Sequence, residues 1–350
     1  MSGRVMTSNI HKGSPLDFLL KRDMPPVALI LAGYNKFDPE TRKKRYRELM
    51  EAYEGDVIYM GENKFLRPLG GKPVIQYVID AVYNARKDGN RLYDKIYVYN
   101  DKKMFEEMID ISRYDNLYIN QMKDSVGGHW KDFYNNYVDY GQRIDIFFGD
   151  TPRITSEDVE YLHGEYEKII GIQKDYRGVP ISVVVNIVEF EDLHATWLPH
   201  RIKYIKVGKN KGKLKNFVGF DAFQARIGNS GAMIKDPCLD DYMNYEVVNF
   251  GYNLRKALTP SILAKIMYYL WRSKRFDMIR QIKNKCLNET VFFSTAYDVI
   301  SNVYKIDMSK TAGVLYHIKK NGAHWENDID GPKDYEAFQK ALEKTTHRNR

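Results

Sequence analysis

The chain has 350 residues, 43% of them hydrophobic and 29% charged, with a formal net charge of +8. This composition belongs to an ordinary globular protein, as one enlarged domain or a domain with an inserted lobe, and excludes a disordered or bilayer-embedded chain. Two cysteines, Cys238 and Cys286, exclude a disulfide framework and a thiolate zinc site, and the positive charge favours anionic partners without separating nucleotides from nucleic acids. No apolar run reaches bilayer length, and the cluster Leu16–Leu20 is too short for a signal peptide, so a cytoplasmic location is expected.

In chain order, Val27–Leu31 followed by Ala32-Gly33 reads as a strand buried on both faces, and the loop beyond such a strand is where α/β sheets bind ligands. A charged run, Thr41–Ala52, reads as a helix whose basic face is solvated, or, with the preceding Lys36, as the source of a phosphate contact from one of Lys36, Arg42, Lys43, Lys44, Arg45 and Arg47. The stretch Lys64 to Pro73 is a glycine- and lysine-rich turn suited to phosphate: Lys64 and Lys72 supply charge, while Gly33, Gly70 and Gly71 let backbone amides approach an anion. No Walker string occurs. Further strands are predicted at Lys95–Tyr99, Leu117–Asn120, Ile144–Phe148 and Ile181–Val188. Helices are predicted at Val74–Arg86, Met104–Ile111, Trp130–Tyr140 and Ser156–Ile169, the last capped by Thr155 or Ser156. The alternation implies an α/β fold, a mostly parallel sheet with helices on both faces. Beyond residue 190 the rhythm breaks. Residues 201–215 form a lysine-rich hairpin or loop without acids, 246–287 are rich in helical signals with Pro260 at a helix start, Ala312–Ile318 reads as a late strand, and Pro332 opens a terminal helix.

Two acidic strings carry candidate chemistry. Gly149-Asp150-Thr151-Pro152 places a carboxylate beyond the end of a strand, where it can hold Mg²⁺ against phosphates or cap a turn. Asp328 and Asp330 are two apart, so on an extended segment both face one side and either could join Asp150 in a metal site; Asp330 equally suits the N-cap region before Pro332. The histidines are scattered, and His129, after Gly127-Gly128, is the one near a predicted ligand.

Four ordered motifs, Leu31-Ala32-Gly33, Lys64 to Pro73, Gly149 to Thr155 and Asp328 to Tyr335, span most of the chain and resemble the MobA-like NTP transferases. The resemblance implies a three-layer, Rossmann-like (GT-A-like) fold with an inserted acceptor lobe. It also implies Mg²⁺-dependent transfer of a nucleoside monophosphate from an NTP to a phosphorylated small-molecule acceptor. By the same resemblance, Leu31, Ala32 and Gly33 wrap the nucleotide, Gly127 and Gly128 lie near the base, and Lys64 meets the phosphates. Asp150, Asp330 and Asp328 are implied as metal ligands, Asn229 and Gly231 as acceptor contacts, with Lys72 beside them. The implied organisation is an N-terminal tail (1–24), a nucleotide-binding core (25–190) with a basic insert at 34–63, an acceptor lobe (191–311, largely helical after 235) and a returning strand and helix (312–345). Where relatives have a second glycine and an arginine turn, this chain has Tyr34-Asn35. A GT-A-type glycosyltransferase and a catalytically reduced nucleotide-binding protein are the alternatives. Aromatic residues are sparse in 201–215, which disfavours nucleic acid as partner.

Overall fold

The computed structural model describes residues 24–33, 63–189, 205–207, 223–236, 240, 260–283, 289–317, 328–329 and 332–348. The insert at 34–62, most of the lysine-rich 201–215 run and Asp330 lie outside the described residues.

The strands are β1 (Val27–Leu31), the hairpins β2 (Pro68–Leu69) with β3 (Lys72–Pro73) and β4 (Arg86–Lys87) with β5 (Asn90–Arg91), then β6 (Lys95–Asn100), β7 (Leu117–Gln121), β8 (Arg143–Phe148), β9 (Ile181–Glu189), β10 (Ile205–Val207), β11 (Phe223–Ile234) and β12 (Ala312–His317). The helices are α1 (Val74–Asn84), α2 (Lys102–Met108), α3 (Val126–Asn136), α4 (Ser156–Glu167), α5 (Pro260–Arg272), α6 (Phe276–Lys283), α7 (Glu289–Val299) and α8 (Pro332–Arg348). Eight strands form one sheet in the order β12-β9-β11-β8-β1-β6-β7, with β10 on β11. The pairings β12–β9, β8–β1, β1–β6 and β6–β7 are parallel, whereas β11 runs antiparallel to both β8 and β9. Residues 223–234, grouped with the acceptor lobe in the sequence reading, are thus a strand of the main sheet.

The predicted two-sided burial of β1 is observed, and alternation explains it. Ala28, Ile30 and Ala32 join the core that includes Ile75, Ile79, Phe147 and Val159, beneath α1 and α4. Val27, Leu29 and Leu31 pack on the other face with Trp130, Phe133 and Tyr134 of α3. Helix starts follow their caps. Thr155 and Asp158 form a reciprocal capping box at α4, and Asp101 caps α2. Helix α3 begins at Val126, four residues before the predicted start, because the Ser125 side chain accepts from the Gly128 amide and draws the glycine pair into the first turn.

Candidate active site

The carboxyl ends of β1, β8 and β6 converge, and register fixes the convergence. Leu31 lies opposite Phe148, and the Gly149 amide donates to the Leu31 carbonyl at 3.0 Å, so the turn carrying Asp150 closes directly over the end of β1. Gly149 suits this close approach: a Cβ would sit 3.0 Å from Ala32 Cβ and 3.2 Å from Ile75, tight enough that those side chains would have to give way. The turn is braced by Thr151, whose hydroxyl donates to the Phe148 carbonyl at 2.9 Å.

Three distant segments meet at Asp150. Lys64, on a short 3₁₀ turn (Lys64–Leu66), places Nζ 2.5 Å from Asp150 Oδ2 and donates to the Ile329 carbonyl at 2.7 Å. The Ile329 amide donates in turn to the Asp150 carbonyl at 2.9 Å. Ile329 is anchored by burial with Leu69, Val74 and Phe338, which ties helix α8 to the site and holds Asp328 beside it. Asp150 and Asp328 are each 6% exposed. Taking carboxylates this far from water is unfavourable unless cations meet them, and Lys64 is the cation the structure supplies to Asp150. Arg153, three residues past Asp150, is half-buried, and burial lowers its pKa; no partner meets its guanidinium among the described residues.

The loop after β1 is held by residues the sequence did not single out. Asn100, fully buried at the end of β6, donates from Nδ2 to the Ala32 carbonyl at 2.7 Å and exchanges amide contacts with Asn63, the residue before Lys64. One side chain thereby links the loop after β1 to the lysine segment. A polar residue closing an apolar strand was the available signal. Asn100→Ala strands the Ala32 carbonyl and Asn63, and is expected to lower unfolding free energy by about 1–3 kcal/mol, read as a loss in chemical denaturation midpoint with an unchanged m-value.

Gly33 faces His129. A Cβ at Gly33 would lie 2.1 Å from His129 Cε1. The ring is 2% exposed, meets the Lys123 carbonyl through Nε2 at 3.1 Å and lies against Tyr99 with centroids 5.2 Å apart. Burial pushes its pKa down to about 4 against the weaker opposing effect of the Lys123 carbonyl, so the ring is neutral at physiological pH. The unfolded chain protonates this histidine near the ordinary value of about 6.5, so between these values the unfolded state binds more protons. Stability from this group is therefore full above pH ~6.5 and is lost as pH falls through ~4, an effect of about 3 kcal/mol. Melting at about pH 7 and about pH 4.5 is expected to show a smaller acid loss in His129→Asn than in the parent chain.

The remaining site candidates separate into two groups. Asn229 (3% exposed) and Gly231 lie on β11, whose antiparallel register places Ser230 opposite Phe147, so Asn229 falls at the same sheet edge as Asp150. Gly231 sits where the β11–β9 register shifts, and a Cβ there would meet the Val184 carbonyl oxygen at 2.7 Å. Gly127 and Gly128 lie in the first turn of α3. Lys72, by contrast, has its ammonium committed to α1: it pairs with Asp80 at 2.5 Å and lies 4.0 Å from the Tyr77 ring centroid. Gly70 and Gly71, at φ 57° and 92°, turn the β2–β3 hairpin, and the Gly70 amide donates to Gln339 Oε1 rather than facing an anion. Among the described residues no cluster of three metal-ligating side chains occurs.

No family model matches the chain, and no curated protein matches it. Solved structures do. A hypothetical transferase from Thermus thermophilus is 15% identical with a TM-score of 0.50, covering 89% of this chain and 100% of its own. A 4-diphosphocytidyl-2C-methyl-D-erythritol synthase from Anaerococcus prevotii is 12% identical (TM-score 0.44; 94% and 98% covered). A CMP:2-keto-3-deoxy-manno-octonic acid synthetase complexed with CTP is also 12% identical (TM-score 0.45; 92% and 100% covered). The fold is thus α/β with a mostly parallel central sheet between helical layers, of the GT-A-like kind.

Proposed function

We propose that this protein is a nucleotidyltransferase that moves an NMP from an NTP to a phosphorylated small-molecule acceptor. The observation that carries the reading is the meeting of Lys64, Asp150 and the 328–329 segment, far apart in sequence, at the ligand-binding edge of a parallel sheet. The Thermus thermophilus structure is described as a transferase, which agrees in class with this reading.

In this reading the loop Leu31-Ala32-Gly33 takes the nucleotide, with Gly127 and Gly128 toward the base. Asn229 and Gly231, at the sheet end that carries Asp150, take the acceptor side, whereas Lys72, paired with Asp80, is assigned no acceptor contact. An acceptor phosphate oxygen attacks the α-phosphorus, a new P–O bond forms, and the bond from the α-phosphorus to the bridging oxygen breaks to release pyrophosphate. Such an acceptor is already ionised at neutral pH, so no general base is assigned. Catalysis by this chain then consists of alignment and charge compensation, with Lys64 beside the phosphates. The hard oxygen donors of Asp150 and Asp328, joined by Asp330, suit a Mg²⁺ ion, which usually takes one or two protein carboxylates with water and phosphate. When bound, Mg²⁺ would neutralise triphosphate charge.

Pyrophosphate release measured with each of the four NTPs against a panel of sugar and polyol phosphates tests the proposal. Release with one NTP and one acceptor class is expected. Consumption of an NDP-sugar instead identifies a glycosyltransferase, and nucleotide binding without turnover across the panel identifies a binding protein.

A further inference from the structure

Helix α5 carries two apolar faces, and its own fold uses one. Tyr269 and Leu270 are buried, with the Tyr269 and Tyr304 hydroxyls 3.1 Å apart. On the opposite side Ala264, Met267, Tyr268 and Trp271 are exposed at the i, i+3, i+4, i+7 spacing of a single helical stripe. Trp271 is 65% exposed, and Phe276, at the start of α6, is 58% exposed. Basic residues accompany this stripe. Residues 260–283 contain Lys265, Arg272, Lys274, Arg275, Arg280 and Lys283 against one acid, Asp277, which is held by Arg275 at 2.6 Å. Lys265, Arg272, Lys274 and Arg280 are exposed.

We propose that α5 and the start of α6 dock this protein onto an anionic lipid surface. Trp, Tyr, Phe and Met on one helical face with Lys and Arg beside them match the interfacial layer of a bilayer, where aromatic rings enter the headgroup boundary and basic side chains meet lipid phosphates. Charge complementarity favours this occupant over a second copy. A two-fold contact through the same face would set one basic cluster against another. The attachment is peripheral, since no helix among the described residues is long and apolar enough to cross a membrane.

Co-sedimentation of the full chain with vesicles of phosphatidylcholine alone, and with phosphatidylglycerol added, tests the proposal. Pelleting with the anionic vesicles, weakened by salt, is expected. Trp271→Ser combined with Phe276→Ser should weaken it by at least about tenfold, and Lys274→Glu or Arg280→Glu by about fivefold each, with melting temperatures unchanged because these side chains are exposed. Failure to pellet with anionic vesicles, equal pelleting with neutral ones, or pelleting unaffected by the Trp271/Phe276 pair would overturn it. So would a Trp271-dependent dimer in light scattering, or Trp271-dependent binding of a single-stranded oligonucleotide in place of the vesicles.

Discussion

Asp150→Ala is expected to reduce the proposed NMP transfer by about 100- to 1,000-fold or more. The aspartate is both a candidate oxygen donor for the metal and the partner of Lys64, whose ammonium also holds the Ile329 carbonyl. Removing the carboxylate leaves a nearly buried lysine without that counter-charge and loosens the segment that carries Asp328. Lys64→Ala should produce a loss of similar order from the other side of the pair, and the two losses together should fall well short of additivity, as for groups acting as a unit. Steady-state kinetics on both single variants and the double variant check this. Asp150→Asn separates chemistry from folding: it keeps the side-chain shape, so a near-parental melting temperature with activity still lost places the effect in the site. Full activity in Asp150→Ala would remove the aspartate from the mechanism.

Gly33→Ala is expected to be the most damaging single-methyl change near the site. The new Cβ lies 2.1 Å from His129 Cε1, and the ring is buried and held by the Lys123 carbonyl and Tyr99, so it has little freedom to retreat. Overpacking of this kind costs about 1–3 kcal/mol. The displaced loop is also the one proposed to wrap the nucleotide, so NTP affinity should fall together with stability. The pair gives a direct check, because His129→Ala opens the space that the methyl needs. A double-mutant cycle on denaturation free energies should show coupling of about 0.5–3 kcal/mol in the rescuing direction. Independent, additive effects would show that the two residues do not constrain each other.

The sheet was legible because its strands obey simple periodicity: Val27–Leu31 has no polar residue to keep from the core, and Ile144–Phe148 ends at a glycine that permits the turn into Asp150. The junction of Lys64 with Asp150 has no such local signature, and only the resemblance pointed to the two together. Asn100 is harder still, and His129 is marked only by following Gly127-Gly128, since their contacts reach Ala32 and Gly33 across strand and helix neighbours fixed by the sheet order. The start of α3 was misplaced because the low helix propensity of Gly127-Gly128 outweighed a single serine cap in the pattern. Lys72 showed the reverse problem. Its charge suited an anion, but Asp80, eight residues on, claims it once α1 folds back on the hairpin.

The most direct test is the fate of isotope placed in the NTP. With label on the α-phosphate, the acceptor should become labelled, and with label on the γ-phosphate, all of it should leave as pyrophosphate. Label reaching the acceptor from the γ-phosphate, or from neither position while an NDP-sugar is consumed, would contradict nucleotidyl transfer at Lys64 and Asp150.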